Sequence, residues 1–564
     1  MDTAVNRDSD LSQPVEDLHA NEQLKHRSQY LRGKIADGLK QRITGAVPGE
    51  DPLLMKFHGI YQQDDRDVRR ERADRKLEPI YQFMVRLRIP GGVLTRAQWL
   101  GLDRVSRTYA ERGLRITTRQ TIQLHGIRKR KLQACMRAIR DIGLDTVAAC
   151  GDDSRGVVCG TNPALSEVHR QVVALAQATS RRLIPKTSAY AEIWYDEKPL
   201  LRDAKEEPVY GSLDLPRKFK VGFAIPPSND IDVYGQDLGL IAIIEKKRLV
   251  GFNICVGGGM GRIDNRADSY PRLAEQLGFI PAPEAPEFAE IVMGIQRDFG
   301  DRKDRHQARF KYTLDRLGND WFLETLAERR GVPLAPPRPF KFTHNGDYPG
   351  WQQGDDGFWH GTLQIESGRI DGVLRDRLAG FFQQYDGDVR LTTNQNLQLI
   401  NVGPYALQQV QWRLDDLGLG AHFSAGSQEA HTLACVALPT CGLAMAEAER
   451  DLPEFLGRFN ALKAQHGLQD QPITLRITGC PNGCARPYLA EIALTGRAPG
   501  LYNLYLGGSY IGDRLAKLHA SNANEARIFE LLGELLRQYA SQREAGEHFG
   551  DFLVRAALLE EASA

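Results

Sequence analysis

The sequence predicts an α+β protein with an internally duplicated chain, and three observations carry that reading. From Tyr81 onward, strand-like and helical patterns alternate: QFMVRLRIPGG, AQWLGLDRVSRTYAERG, LRITTRQTIQLHGI and KLQACMRAIRDIG. One of these strands returns about 275 residues later, where RLTTNQNLQL (390–399) matches RITTRQTIQL (115–124) at six of ten positions. A second pair, FNICVGG (252–258) and YNLYLGG (502–508), shares an Asn and a Gly-Gly among apolar positions.

In chain order, residues 1–75 form a charged, partly helical extension that either docks on the rest or stays loose at its tip. Residues 76–160 are the first repeat, 161–345 a central domain, 346–425 the second repeat and 426–564 a C-terminal domain. Each repeat opens on a strand and a glycine turn, VRLRIPGGVLT in the first and HGTLQIESGRIDG in the second. LRITTRQTIQLHGI reads as one strand. The expected architecture is two half-domains and two larger mixed α/β domains around a pseudo-twofold axis, where one large ligand can sit.

At 564 residues the chain exceeds what one hydrophobic core supports. Lysine plus arginine (73) nearly balances aspartate plus glutamate (72), which argues against a protein that coats nucleic acid or an anionic membrane. The polar N-terminus lacks a signal-peptide core, and no run of about 18 apolar residues suggests a membrane span. A cytoplasmic protein is expected.

The eight cysteines do not suggest a disulfide framework. Cys135, Cys150, Cys159 and Cys255 are scattered and read as buried reduced thiols. Cys435, Cys441, Cys480 and Cys484 instead cluster as ACVALPTC and TGCPNGC. Four thiolates suit the four irons of a [4Fe–4S] cluster. A zinc knuckle tolerates the C-x3-C spacing better than the C-x5-C. Spacing alone leaves iron–sulfur, zinc and unliganded core thiols all open.

ACVALPTCGLAMAEAER and RITGCPNGCARPYLAEIALTGRAPGLYNLYLGG closely resemble the sirohaem sulfite and nitrite reductases. The likeness runs nearly end to end through HGIYQQDDRD, AYAEIWYD, LPRKFK, NDIDV, GFNICVGGG, KYTLDRLG and REAGEHFGDF, and it is strongest to the haemoprotein component of NADPH-dependent enzymes. It implies ferredoxin-like half-domains, a central sirohaem-binding domain, a C-terminal [4Fe–4S]/sirohaem domain and six-electron reduction of sulfite to sulfide. By that resemblance Cys435, Cys441, Cys480 and Cys484 bind one cluster, and Cys484 is also the axial ligand of one sirohaem. Arg86, Arg155, Lys218 and Lys220 match the family's catalytic cations. Thr117, Arg119, Gln123, Arg305, Arg309, Lys311, Gln395 and Gln398 are candidate sirohaem contacts.

Sirohaem's carboxylates and anionic sulfite both call for such cations, with lysine the better proton donor because guanidinium rarely gives up its proton. Without the likeness, Lys218 and Lys220 would read as charges on a solvated strand face. His58 and His125 are potential proton donors, yet satisfied structural histidines are the simpler reading. The sequence departs from the family's pattern at Gly151, Gly156 and Gly442. GGGMGR (257–262) lacks the placement of a dinucleotide fingerprint, so electrons are expected from another protein. The resemblance points to a flavoprotein (alpha) subunit carrying FAD and FMN and drawing on NADPH; a ferredoxin donor, a nitrite-reducing relative and a zinc-stabilised binding protein are the alternatives.

Overall fold

The computed structural model describes residues 13–161, 166–195, 207–264, 266–423 and 428–559. The first twelve residues of the N-terminal extension, Asp196 of AYAEIWYD and the boundary drawn at 425/426 lie outside the described residues. The described residues form four five-stranded sheets with helices packed on them, an α+β architecture in which the duplication extends to both kinds of domain.

The first repeat contributes strands Tyr81–Arg86, Leu114–Ile116 and Ile122–Ile127, and helices Arg96–Tyr109 and Lys129–Asp141, and its sheet takes a further strand, Ile60–Asp64, from the N-terminal extension. The second contributes Gly350–Gln353, Trp359–Leu363, Val389–Leu391 and Leu397–Val402, with helices Gly372–Gln384 and Leu407–Asp416. Each sheet is completed by a strand from the other repeat: Arg369–Ile370 pairs with Leu114–Ile116, and Val93–Leu94 pairs with Val389–Leu391. This exchange joins the two halves into one hydrophobic core.

Here LRITTRQTIQLHGI departs from the single strand expected. Its two ends form antiparallel strands, and Thr117 to Thr121 turn between them, with the Thr117 amide donating to the Thr121 carbonyl at 2.9 Å. Gln120 adopts φ +49° in that turn, and its counterpart Gln395 adopts φ +67°. The turn residues Thr117 to Thr121 include no glycine, proline, asparagine or aspartate, so the motif carries none of the usual marks of a reversal.

The halves also meet at glycines. A Cβ on Gly92 (φ +74°) would lie 2.4 Å from the Leu391 carbonyl, and one on Gly368 (φ +71°) would lie 2.2 Å from that of Ile116. Gly92→Ala is therefore expected to cost about 2 kcal/mol or more of stability. Gly156→Ala, where a Cβ meets nothing within 4 Å, should leave the melting temperature unchanged. Thermal unfolding of the two variants checks the contrast.

The two larger domains share a topology. In the central one, parallel strands Val158–Cys159, Val221–Ala224 and Leu238–Glu245 continue into antiparallel Arg248–Val256 and Glu275–Pro281. In the C-terminal one, Thr432–Ala434, Leu475–Thr478 and Ile492–Ala498 continue into Leu501–Leu506 and Lys517–Ala523. FNICVGG and YNLYLGG thus begin on equivalent strands, as the sequence match implies.

Among the described residues the N-terminal extension docks. Glu22 pairs with Lys25 and with the fully buried Arg302, and the Lys25 ammonium donates to the Leu215 carbonyl at 2.9 Å. No helix among the described residues is long and apolar enough to cross a membrane.

Candidate active site and metal centre

The clustered cysteines leave the carboxyl ends of two neighbouring parallel strands, the edge where open α/β sheets commonly place ligands. Cys435 follows Thr432–Ala434 directly, and Cys480 follows Leu475–Thr478 after Gly479. The Arg115 guanidinium anchors the first strand by donating to the Ala434 carbonyl at 3.0 Å while pairing with Glu449 at 2.6 Å. Arg66, from HGIYQQDDRD, clasps the next loop through the carbonyls of Cys441 (2.9 Å) and Ala444 (2.5 Å).

Burial, followed by the neighbouring Cys484, raises the Cys435 and Cys441 thiols and raises Cys480 to about 11. The four cysteines thus lie on loops at one edge of this sheet. Backbone and amide donors already point at them: Gly479 N to Cys435 Sγ at 3.3 Å and Asn482 Nδ2 to Cys480 Sγ at 3.6 Å. Among the described residues no three His, Cys, Asp or Glu side chains converge closely enough for a single metal ion. A tetrahedral zinc would need all four sulfurs about 2.3 Å from one point. Four soft thiolates suit the four irons of a [4Fe–4S] cluster, with N–H donors on its sulfur ligands to tune the potential. Cys484 is the exposed member of the set.

Beside Cys484 lies a group of cations. Lys218 and Lys220 flank Phe219 on the segment entering strand Val221–Ala224, and both ammonium groups are half-buried. Burial, then Arg309 and Arg119, pulls Lys220 down to about 7, with Cys484 among the groups opposing this. Lys218 is pulled well below the ordinary lysine value by burial, then by Lys220, Arg217, Arg309 and Arg155. Arg119 is lowered to about 9 by burial, then by Arg486 and Arg155, with Arg86 adding to the effect. The chain thus brings Arg86, Arg119, Arg155, Lys218, Lys220 and Arg309 within electrostatic reach of one another.

Their partners divide them. Arg305 forks onto Asp152 at 2.7 and 3.1 Å, and Arg309 pairs with Asp237 at 2.9 Å. Lys311 is committed to the carbonyls of Gly259, Gly261 and Tyr270, which hold the GGGMGR loop. Arg119 reaches only neutral acceptors, Gln236 and the Gly156 and Val221 carbonyls. Arg155 holds the carbonyls of Ala149 and Gly151. Arg86 points one nitrogen at Cys150 Sγ (3.1 Å) and, with the Gln123 amide turned to accept, another at Gln123 Oε1 (2.6 Å).

Arg86, Arg119, Arg155, Lys218 and Lys220 therefore have no carboxylate partner among the described residues, and Nε of Arg119, Arg155 and Arg309 is buried without an acceptor. Uncompensated charge of this density is costly unless an anion completes it. A polycarboxylate macrocycle and a small oxyanion fit that donor set.

Thr117 lies in the turn and accepts the Arg119 amide at 3.2 Å. Gln395 and Gln398 lie in the second repeat. Gln395 Nε2 donates to the Ser367 carbonyl and Gln398 Nε2 to Thr362, while both Oε1 atoms are buried without a donor. Pseudo-equivalence explains why only one half is charged. Asn394, Pro472 and Thr474 stand where Arg119, Lys218 and Lys220 stand in the first half.

His58 is structural: it bonds the Leu31 carbonyl at 3.0 Å, stacks on Tyr190, and burial lowers it to about 4. Burial, then surrounding arginines, also keeps His125 neutral. Gly151 (φ +83°) packs against Phe57, leaving no room for a side chain, whereas Gly156 and Gly442 face open space. Asp237 and Arg486 carried no signal in the sequence, and Cys150 read there as only a core thiol. Arg217 was signalled by its place before Lys218 in PRKFK.

The family model described as "Nitrite/Sulfite reductase ferredoxin-like half domain" matches residues 76–142 and again 351–417. The one described as "Nitrite and sulphite reductase 4Fe-4S domain" matches 176–334. A protein of Nitrobacter hamburgensis named "Sulfite reductase [NADPH] hemoprotein beta-component" is 51% identical over 558 residues, covering 98% of this chain and 97% of its own.

The chain belongs to the nitrite and sulfite reductase family. Equally named proteins of Nitrosomonas europaea and Staphylococcus saprophyticus are each 50% identical, covering 99% and 96% of this chain and 98% and 96% of theirs. The solved Mycobacterium tuberculosis NirA protein superposes with a TM-score of 0.80 at 25% identity, covering 95% of this chain and 96% of its own. The 4Fe-4S family model falls on the central domain, whereas the clustered cysteines lie in its topological twin. Shared topology lets both descriptions hold for one chain.

Proposed function

We propose that this chain is the haemoprotein component of an assimilatory, NADPH-linked sulfite reductase that converts sulfite to sulfide with six electrons, supplying sulfide for cysteine synthesis in the cytoplasm. The observation that carries the reading is the clustering of four cysteines at one sheet edge beside five cations that lack carboxylate partners among the described residues. A sirohaem supplies the iron where sulfite is reduced, and a [4Fe–4S] cluster feeds it electrons.

The chain's own residues do the rest. Cys435, Cys441, Cys480 and Cys484 would hold the cluster, and Cys484 would also serve as a ligand for the haem. Thr117, Arg119, Gln123, Arg305, Arg309 and Lys311 shape the macrocycle's site, directly or through Asp152, Asp237 and the GGGMGR loop. Gln395 and Gln398 serve the second repeat's own hydrogen bonding. Arg86 and Arg155 orient the anion, while Lys218 and Lys220 neutralise it and deliver protons as oxygens leave as water. Residues 1–75 act as the docking extension, of which Ile60–Asp64 joins the first repeat's sheet, and divisions at about 160, 345 and 425 separate repeats from larger domains, with Val158–Cys159 already in the central sheet.

The electron donor is a flavoprotein subunit carrying FAD and FMN, consistent with "[NADPH]" and "beta-component" in the relatives' names. Sulfide formation from NADPH should appear only when that flavoprotein is added. Turnover with NADPH alone, or a higher kcat/KM for nitrite than for sulfite, would overturn the reading.

A further inference from the structure

The pseudo-twofold axis can be located residue by residue. Asp232 and Arg486 occupy equivalent places, each starting a 3-10 turn after an equivalent strand (Val233–Gly235 and Pro487–Leu489). Both are left-handed, at φ +49° and +54°. Their local bonds match as well: Asp232 N donates to Asn229 O, and Arg486 N to Gly483 O. Thr118 and Thr393 are likewise equivalent turn residues of the two repeats, and Cys484 is the counterpart of Asp230. The Thr118 hydroxyl donates to the Cys484 carbonyl at 3.0 Å, and the Thr393 hydroxyl to the Asp230 carbonyl at 2.5 Å.

These equivalent residues meet. Arg486 Nε pairs with the Asp232 carboxylate, which also takes Arg476 at 2.7 Å and the Asn345 amide at 3.1 Å. The remaining arms of Arg486 donate to the Thr118 carbonyl (3.1 Å) and the Thr393 carbonyl (3.3 Å). One guanidinium thus bridges both repeats and the central domain from a position two residues beyond Cys484. A perfectly symmetric duplicate would set like against like here. Divergence to Asp and Arg turns that clash into an ion pair with no exposed Asp232 surface.

We propose that Asp232 and Arg486 form a positioning pair on the pseudo-twofold axis that, with Thr118, holds the Cys484 loop in place against both repeats. This rests on the reading of Cys484 as the thiolate shared by cluster and haem. The pair touches neither substrate nor reacting atoms; it acts by fixing where the Cys484 sulfur sits.

The decisive comparison is Thr118→Val against Thr393→Val in the purified holoenzyme. Thr118→Val should speed amide exchange across 483–486, shift the haem absorption bands and lower kcat about fivefold, the worth of one hydrogen bond, with KM for sulfite unchanged. Thr393→Val should match the unaltered enzyme in all three. Arg486→Lys, which keeps the charge but loses the fork, should exceed Thr118→Val in each; if it does not fold, the threonine pair still decides. Equal behaviour of the two threonine variants, or an unaltered spectrum and kcat in Thr118→Val, overturns the proposal. Cys484→Ser on the same background separates the two ideas. An unchanged Cys484→Ser spectrum sinks the ligand assignment, whereas a changed one beside a silent Thr118→Val sinks only the positioning pair.

Discussion

A Cys484→Ser enzyme is expected to fold and to lose sulfite reduction by well over about 100-fold, since even outer partners of a metal ligand cost 10–100-fold. Serine fills the same space, so the surrounding loop has no reason to rearrange. Its oxygen is a hard, protonated donor where a soft thiolate is needed. The other three thiols remain, which confines the lesion to the shared ligand. Iron content, haem content and the optical spectrum of the purified variant should all fall or change together. Turnover within tenfold of the original, with an unaltered spectrum, would remove Cys484 from the centre.

Lys220→Ala is expected to slow sulfite reduction by at least about 100-fold, the usual contribution of a positioned general acid, while leaving the cofactor spectrum intact. The group is lowered to about 7 by burial, then by Arg309 and Arg119, so its proton is available near neutral pH. The protonated ammonium is the active form. The kcat/KM of the unaltered enzyme should therefore fall as pH rises above about 7, with the limb displaced upward as anions enter the pocket. That limb should disappear in Lys220→Ala. Lys220→Arg should restore KM but not kcat, because guanidinium keeps the charge and withholds the proton. A pH profile shared by all three enzymes would assign proton delivery elsewhere.

Much of this site was legible along the chain because its groups are local in sequence. Cys480 and Cys484 share one turn, Lys218 and Lys220 one strand entry, and HGIYQQDDRD carries the arginine that clasps the cysteine loop. The duplication was legible where side chains repeat, as in RITTRQTIQL and RLTTNQNLQL. The hairpin inside that motif was not, since Thr117 to Thr121 hold no glycine, proline, asparagine or aspartate to mark a turn, and only Gln120's backbone betrays the reversal. Arg119, Arg305 and Arg309 were legible as cations, but their partners Gln236, Asp152 and Asp237 lie 117, 153 and 72 residues away.

The sequence by itself determined which four cysteines cluster, the two repeats and which cations its motifs carry, because each is written in short contiguous motifs. Only the tertiary structure decided which cations lack a carboxylate, that each repeat lends the other an edge strand, and that Asp232 meets Arg486 on the axis. Those facts depend on pairs of residues brought together by folding. A chain's linear order carries the chemistry of each residue, whereas the compensation of one charge by another is set by distance in space.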